Sequence, residues 1–344
     1  MPIAVREPLT AAGLLLINSS MAPPARLAAD IRRSAHVHVA RLAARHPRLA
    51  AAGALSLLSL IWGYNWVVMK IALHYASPFD FASLRTLLAA ACLFIILGAL
   101  RRPLRPKEPL GLVWLGLLQT TGFIGFTMWA LVSGAVGETA VLAYTMPFWV
   151  IVLAKLVLGE RMDGIQRLAV MLALFGLIMV LTPWRSHGGI ESDLLAVGAG
   201  IFWAAGTLYA KILRRAARFD LLSLTAWQML FGAIGLTVVA ALLPHAAVHW
   251  NGEFIGALAY NVILANALAW ILWLYALDRL PAGVASLGTL ATPVISVLAA
   301  ALQLGEIPDT PEIIGMLLIG SALTLISLHA VRKHKRVSST FGQE

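Results

Sequence analysis

Residues able to do chemistry are few in this chain, and they stand inside long apolar runs. Asn65, Gln119, Thr120, Thr121, Tyr144 and Asn266 are hydrogen-bonding side chains within such runs. Hydrocarbon offers an amide or hydroxyl no partner, so each must face a neighbouring helix or a water-filled cavity. Aromatic residues are interleaved with them: Trp66, Trp129, Trp203, Tyr209, Trp270, Trp273 and Tyr275. Some suit interfacial belts, and others suit the wall of a cavity for apolar or aromatic solutes. Lys70, Glu160, Lys211 and Glu306 fall near the ends of apolar runs, where a charged head reaches water. They read either as interface anchors or as gate contacts on two faces. Pro147 and Pro293 lie within runs, where a missing N–H and a kink make either a hinge or a static bend.

Other chemistry is thinly represented. His245, His249 and Glu253 recur every four residues, as metal ligands on one helix face do, but Pro244, Asn251 and Gly252 interrupt them. No metal and no cofactor is implied. Arg85 lies one turn inside a run and is expected to pair with an acid or to snorkel outward, and Lys155 is expected to snorkel. Glu138 opens a run, where a carboxylate suits a helix N-terminus. Asp278 and Arg279 read as a loop pair. No run carries a carboxylate at its middle, so no proton relay is visible. No G-x-x-x-x-G-K-[ST] pattern occurs, which argues against ATP hydrolysis. The lone Cys92 excludes an intramolecular disulfide.

The elements that carry these residues follow from composition. Hydrophobic residues make up 60% of the chain and charged ones 12%, with a mean hydropathy of +0.84. Soluble domains carry about a quarter charged residues, so most of this chain must meet lipid. Apolar runs fall at 51–73, 81–100, 110–132, 138–158, 166–183, 194–213, 222–243, 254–276, 283–304 and 312–330. Each is near the roughly 20 residues a membrane-crossing helix needs. None alternates with polar residues, which excludes a β-barrel. The net charge of +10 does not point to nucleic acid, because the basic residues cluster between runs. Basic connections (Arg101 to Lys107, Arg161 and Arg167, Arg214 to Arg218, Arg279) alternate with non-basic ones. By the positive-inside rule both termini are expected in the cytoplasm, with the protein multi-pass in the inner membrane.

An internal repeat runs through the chain. Pro147, Gly159, Glu160 and Asp163 recur as Pro293, Gly305, Glu306 and Asp309 with identical spacing. Trp62 and Lys70 recur as Trp203 and Lys211, and Asp80-x-x-Ser83-Leu84 as Asp220-x-x-Ser223-Leu224. The expected organisation is an Arg/Ala-rich cytoplasmic tail at 1–50, a five-helix repeat at 51–183, a linker loop at 184–193, a second five-helix repeat at 194–330 and a basic tail at 331–344. Met21 is an alternative start. An odd number of spans per half makes the second half enter from the opposite side. The fold class is therefore an all-α integral membrane protein of ten transmembrane helices in two inverted-topology repeats, an architecture tied to secondary transporters.

On these residues the chain resembles the drug/metabolite transporter superfamily, EamA type. Trp62-Gly63-Tyr64-Asn65-Trp66-Val67-Val68-Met69-Lys70 is similar to the W-G-x-N-x-x-x-x-K opening of that family. Pro147 leading to Leu158-Gly159-Glu160-Arg161, and Thr292-Pro293 leading to Leu304-Gly305-Glu306, are similar to its later motifs. The resemblance covers about residues 52–330 and implies a central cavity lined by spans one, three, four, six, eight and nine. Arg161 aligns with Ile307 and Asn65 with Gly206, so the halves are not equal. The resemblance implies a secondary transporter exporting small metabolites, amino acids or toxic compounds by alternating access. An importer or a membrane-embedded enzyme is the alternative. Expected substrate-binding residues are Asn65, Trp66, Gln119, Trp129, Tyr144, Trp203, Asn266, Trp270 and Tyr275. Expected hinge or gate residues are Lys70, Pro147, Glu160, Lys211, Pro293 and Glu306. Expected partners are a small-molecule substrate and the lipid bilayer, with no nucleic acid; monomer and homodimer both remain open.

Overall fold

A computed structural model of the chain describes residues 47–180, 189–216, 219–244, 246–279 and 289–340. The chain divides into Met1–Ala51, described only for the opening turn of a helix, and the body Ala52–Glu344. Among the described residues ten helices follow in order: α1 Pro47–Ala72, α2 Pro78–Ala99, α3 Pro109–Ser133, α4 Val136–Leu158, α5 Gly164–Val180, α6 Gly189–Ala216, α7 Leu221–Leu242, α8, α9 Ala291–Leu304 and α10 Thr310–Thr340. Helix α8 runs through Gly252–Ala259, Tyr260–Leu268 and Ala269–Arg279. Eight of the described helices are long and apolar enough to cross a membrane, and α5 and α9 are shorter apolar helices. This is the expected all-α membrane architecture of two inverted five-helix repeats.

The duplicated motif has a plain structural cause. Gly159 and Gly305 end α4 and α9 with φ of 65° and 71°, the left-handed conformation that only glycine adopts without steric cost. The next amides, of Glu160 and Glu306, reach back to the carbonyls of Ala154 and Ala300. That closure throws each glutamate off a helix end. Asp163 and Gln166 then cap α5 reciprocally, backbone to side chain, at 2.9 and 3.0 Å, and Asp309 and Glu312 cap α10 at the same distances. These are capping boxes, which satisfy the orphan amides of a helix start. The Asp-x-x-Ser-Leu copies diverge: Asp220 itself caps α7, whereas Ser77 caps α2 and bonds the carboxylate of Asp80.

Each half packs on the other through equivalent helices, α2 on α7 and α5 on α10. Small residues bring backbones together where apolar attraction cannot drive association. A Cβ at Gly176 would stand 2.7 Å from the Gly315 carbonyl oxygen, and one at Gly315 2.7 Å from that of Gly176. Gly116 of α3 and Gly232 of α7 make a similar crossing.

Three departures from the sequence reading bear on the site. Helix α6 starts at Gly189, so Glu191, Ser192 and Asp193, expected in the linker loop, form its first turns. Helix α10 continues to Thr340, into the expected basic tail. Two spans also loosen midway into π-helix, at Leu117–Gly122 in α3 and Tyr260–Leu268 in α8. Such wide turns recur at functional sites.

Candidate functional site

Interrupted helices adjoin one another in the bundle. Helix α4 breaks at Tyr144–Thr145 between Val136–Ala143 and Met146–Leu158. Pro147 therefore lies in the first turn of a new helical segment, where its missing N–H is not needed, and it does not kink a continuous helix. Pro293 lies one position further in, still in the first turn of α9, behind a turn at Thr289–Leu290. Both expected kinks are thus helix starts.

Around these breaks stand most of the expected binding residues. Trp66 of α1 lies 6.4 Å from the ring of Tyr144 at the α4 break. Gly200 of α6 lets that helix sit on the break, where a Cβ would approach the Ala143 carbonyl to 3.0 Å. Gly206 sits against Gln119, whose Nε2 donates to the hydroxyl of Thr207 at 3.4 Å. Trp203 packs edge-on against Phe123 with centroids 4.8 Å apart. On the other flank, Tyr260 donates to the Ile61 carbonyl and Trp62 to that of Ala265, tying α1 to the π-turn of α8. Gly63 admits Ile295 of α9, and Ser296 donates to the Gly63 carbonyl at 3.0 Å. Helices α1, α3, α4, α6, α8 and α9 are thereby neighbours.

Unmet polar atoms occur in the same layer. Asn65 is buried and its Oδ1 has no partner among the described residues. Asn261 is fully buried with its Oδ1 also unmet, although its Nδ2 donates to the Ala257 carbonyl. Asn266 donates to the Asn261 carbonyl at 2.7 Å. Buried acceptors without donors are costly, about 1–3 kcal/mol each, and a polar solute or water relieves that cost. Tyr64, Asn261 and Tyr260 were not anticipated as members of this group. Tyr64 bonds Gln303 at 2.9 Å and meets the Tyr260 ring edge-on. Trp129 stands apart, exposed and against Phe79. Tyr275 is covered by the Arg279 guanidinium, 3.9 Å from its ring centroid. The side chain of Trp270 lies outside the described residues.

The four repeated charges sit at opposite ends. Ser192 near the start of α6 bonds the Ala130 carbonyl at the end of α3, beside Lys70. Lys211 follows about 28 Å further along α6. There its Nζ meets Glu160 at 2.6 Å, with the side chains 44% and 45% exposed. A cavity of about 270 Å³ opens beside the pair, lined by Glu160, Arg161, Gln166, Thr207 and Lys211 among others. At the other end Lys70 donates to the carbonyls of Leu131, Gly134 and Val132 at 2.7, 2.9 and 3.3 Å. Glu306 accepts the Val136 amide at 2.6 Å. The lysine thus holds the C-terminus of α3 and the glutamate the N-terminus of α4, each matching the local helix dipole. Repeat-related residues make a direct ion pair at one end and grip a connecting turn at the other.

Remaining polar residues resolve differently. Arg85 neither snorkels nor meets an acid among the described residues; it is 8% exposed and its Nη1 lies 2.7 Å from the Met69 sulfur. Lys155 is exposed, as snorkelling requires. Glu253 is taken by the Tyr75 hydroxyl, which pushes the ionisation of that tyrosine above its ordinary value. His249 gives its amide to the Tyr75 carbonyl, and His245 lies outside the described residues. Among the described residues no group of three or more His, Cys, Asp or Glu is arranged to hold a metal.

Comparison with known proteins completes the picture. The EamA-like transporter family matches residues 50–182 and again 191–328. The chain is 28% identical to an uncharacterized transporter, YoaV, of Bacillus subtilis, over 76% of this chain and 91% of that one. It is 29% identical to a probable amino-acid metabolite efflux pump of Escherichia coli, over 83% and 97%. A solved crystal structure aligns with a TM-score of 0.57 at 23% identity, covering 83% of this chain and 99% of that chain.

Proposed function

Since the chain belongs to the EamA-like transporter family and is a membrane transporter, we propose that it exports small amino-acid-type metabolites across the inner membrane by alternating access. The difference between the repeat-related contacts carries this reading. Inverted repeats alternate by exchanging the conformations of their two halves. In such an exchange, equivalent residues make different contacts at the two faces. Lys211 and Glu160 meet directly, whereas Lys70 and Glu306 grip the Leu131–Val136 turn. The gates are these two sets, and the breaks at Pro147 and Pro293 are the joints. With both termini cytoplasmic, as the basic connections favour, the Lys211 end faces the cytoplasm.

The solute site lies among Asn65, Trp66, Gln119, Tyr144, Trp203 and Asn266. Unmet amide oxygens suit an ammonium or amide donor, and the aromatic rings suit an apolar side chain. The relatives named as amino-acid metabolite efflux pumps support the same class. The test compares cells with and without the gene for release of labelled amino acids and for growth under toxic amino-acid analogues. Faster release and greater tolerance are expected in cells carrying the gene. Unchanged release across the amino acids would refute the substrate class.

A further inference from the structure

Glu138, in the first turn of α4, is 3% exposed, and neither carboxyl oxygen has a partner among the described residues. The helix-start role that its position invites is filled by Glu306, which takes the Val136 amide. Glu138 instead lines a cavity of about 10 Å³ with Ala135, Val297, Glu306 and Glu312, room for about one water molecule. The charges acting on it are acidic: Asp193 from α6, Glu312 from α10, and Asp309 and Glu306 from the turn before α10. Asp193 is itself 2% exposed, and its Oδ2 has no partner among the described residues. Lys70 of α1 acts on Glu306 and is already bonded to three carbonyls. An ionised carboxylate buried without donors, beside other carboxylates, costs several kcal/mol. A neutral carboxylic acid avoids that cost.

We propose that Glu138, with Asp193 beside it, is a proton-binding site that locks the Lys70 gate when loaded. The proton sits on a Glu138 carboxyl oxygen, within reach of the water-sized cavity. A metal cation fits poorly, because the carboxylates do not converge as a ligand set. Loss of the proton places a second charge against Glu306 and Asp193. Repulsion then acts on the contact that pins α4 to the turn before α10, and that end of the bundle opens. The link from proton to gate rests on the transporter reading; the proton site itself does not.

Infrared titration of the purified full chain in lipid nanodiscs tests the site without a substrate. At about pH 7, where a solvated glutamate with an ordinary value of about 4.3 is ionised, wild type is expected to show a protonated-carboxyl carbonyl band. Glu138→Gln should remove it, and Glu138→Asp should shift it. Absence of the band in wild type, or its survival unchanged in both variants, overturns the proposal. So does a band that responds to sodium instead of pH. If Glu138→Gln does not fold, the Glu138→Asp shift alone decides. Flux of labelled amino acids from vesicles, measured with pH varied only on the Lys70 side, tests the link. Wild type should change at least about threefold between about pH 6 and 8.5, with Glu138→Gln nearly flat. A pH-independent wild-type flux overturns the link. No flux of any amino acid, with the infrared result intact, refutes the amino-acid substrate class and leaves the proton site standing.

Discussion

Replacing the two repeat-related lysines should give different results, because their partners differ in kind. Lys211 meets Glu160 side chain to side chain, with both nearly half exposed. Exposed ion pairs contribute about 0.2–1 kcal/mol. Lys211→Met should therefore shift the gate equilibrium by about 1.4- to 5-fold and leave the fold intact. Lys70 donates to three backbone carbonyls at the end of α3. Hydrogen bonds from a charged donor contribute about 1.5–3 kcal/mol, so Lys70→Met should cost about tenfold to a hundredfold in the same equilibrium and lower thermal stability. The double charge swap separates the two further. Lys211→Glu with Glu160→Lys should restore much of the rate, because the pair is re-formed. Lys70→Glu with Glu306→Lys should not, because a carboxylate would face carbonyls and an ammonium would face the Val136 amide. The assay is exchange of labelled amino acids in proteoliposomes, with melting followed by tryptophan fluorescence. Equal behaviour of the two lysines, or rescue at the Lys70 end, would refute the reasoning.

Three further outcomes follow from individual contacts. Asn65→Ala should raise the apparent KM about two- to tenfold, the equivalent of one uncharged hydrogen bond of about 0.5–1.5 kcal/mol, with protein level nearly unchanged; an unaltered KM with poor folding would make Asn65 a packing residue. Gly232→Ala places a Cβ 2.2 Å from that of Thr120 and 2.7 Å from the Gly116 carbonyl oxygen; overpacking of about 1–3 kcal/mol should lower the melting temperature measurably, and an unchanged melt would contradict the α3–α7 crossing. Tyr75→Phe should remove a tyrosinate signal that appears only above the ordinary value of about 10, because Glu253 holds the proton on that hydroxyl; loss of a signal at the ordinary value instead would show that the bond is absent in membranes.

Much of this architecture is legible in the residues, for identifiable reasons. Lipid demands long apolar runs, and the Gly159–Glu160–Asp163 and Gly305–Glu306–Asp309 copies mark caps whose geometry tolerates few other residue types. Those same copies single out Glu160 and Glu306 as a repeat-related pair. The π-turns were not legible: Gln119, Thr120, Thr121 and Asn266 mark both segments as polar, but polarity in an apolar run does not report a widened turn. From sequence, Glu138 reads as a helix-start carboxylate and Asp193 as a residue of the linker loop. Their burial depends on α4, α6 and α10 meeting, and local spacing does not report that. Pro147 and Pro293 read as kinks from sequence alone, which does not say whether a helix continues through a proline or begins near it. The Gly116–Gly232 approach joins two helices distant in sequence, and local spacing does not pair them.

Counterflow with the purified chain in sealed vesicles tests the central claim of carrier-type transport most directly. Vesicles preloaded with an unlabelled amino acid and diluted into a trace of the labelled one should accumulate label transiently above equilibrium, with the solute chemically unchanged. Entry no faster than into protein-free vesicles for every amino acid tested, or recovery of an altered solute, would contradict it.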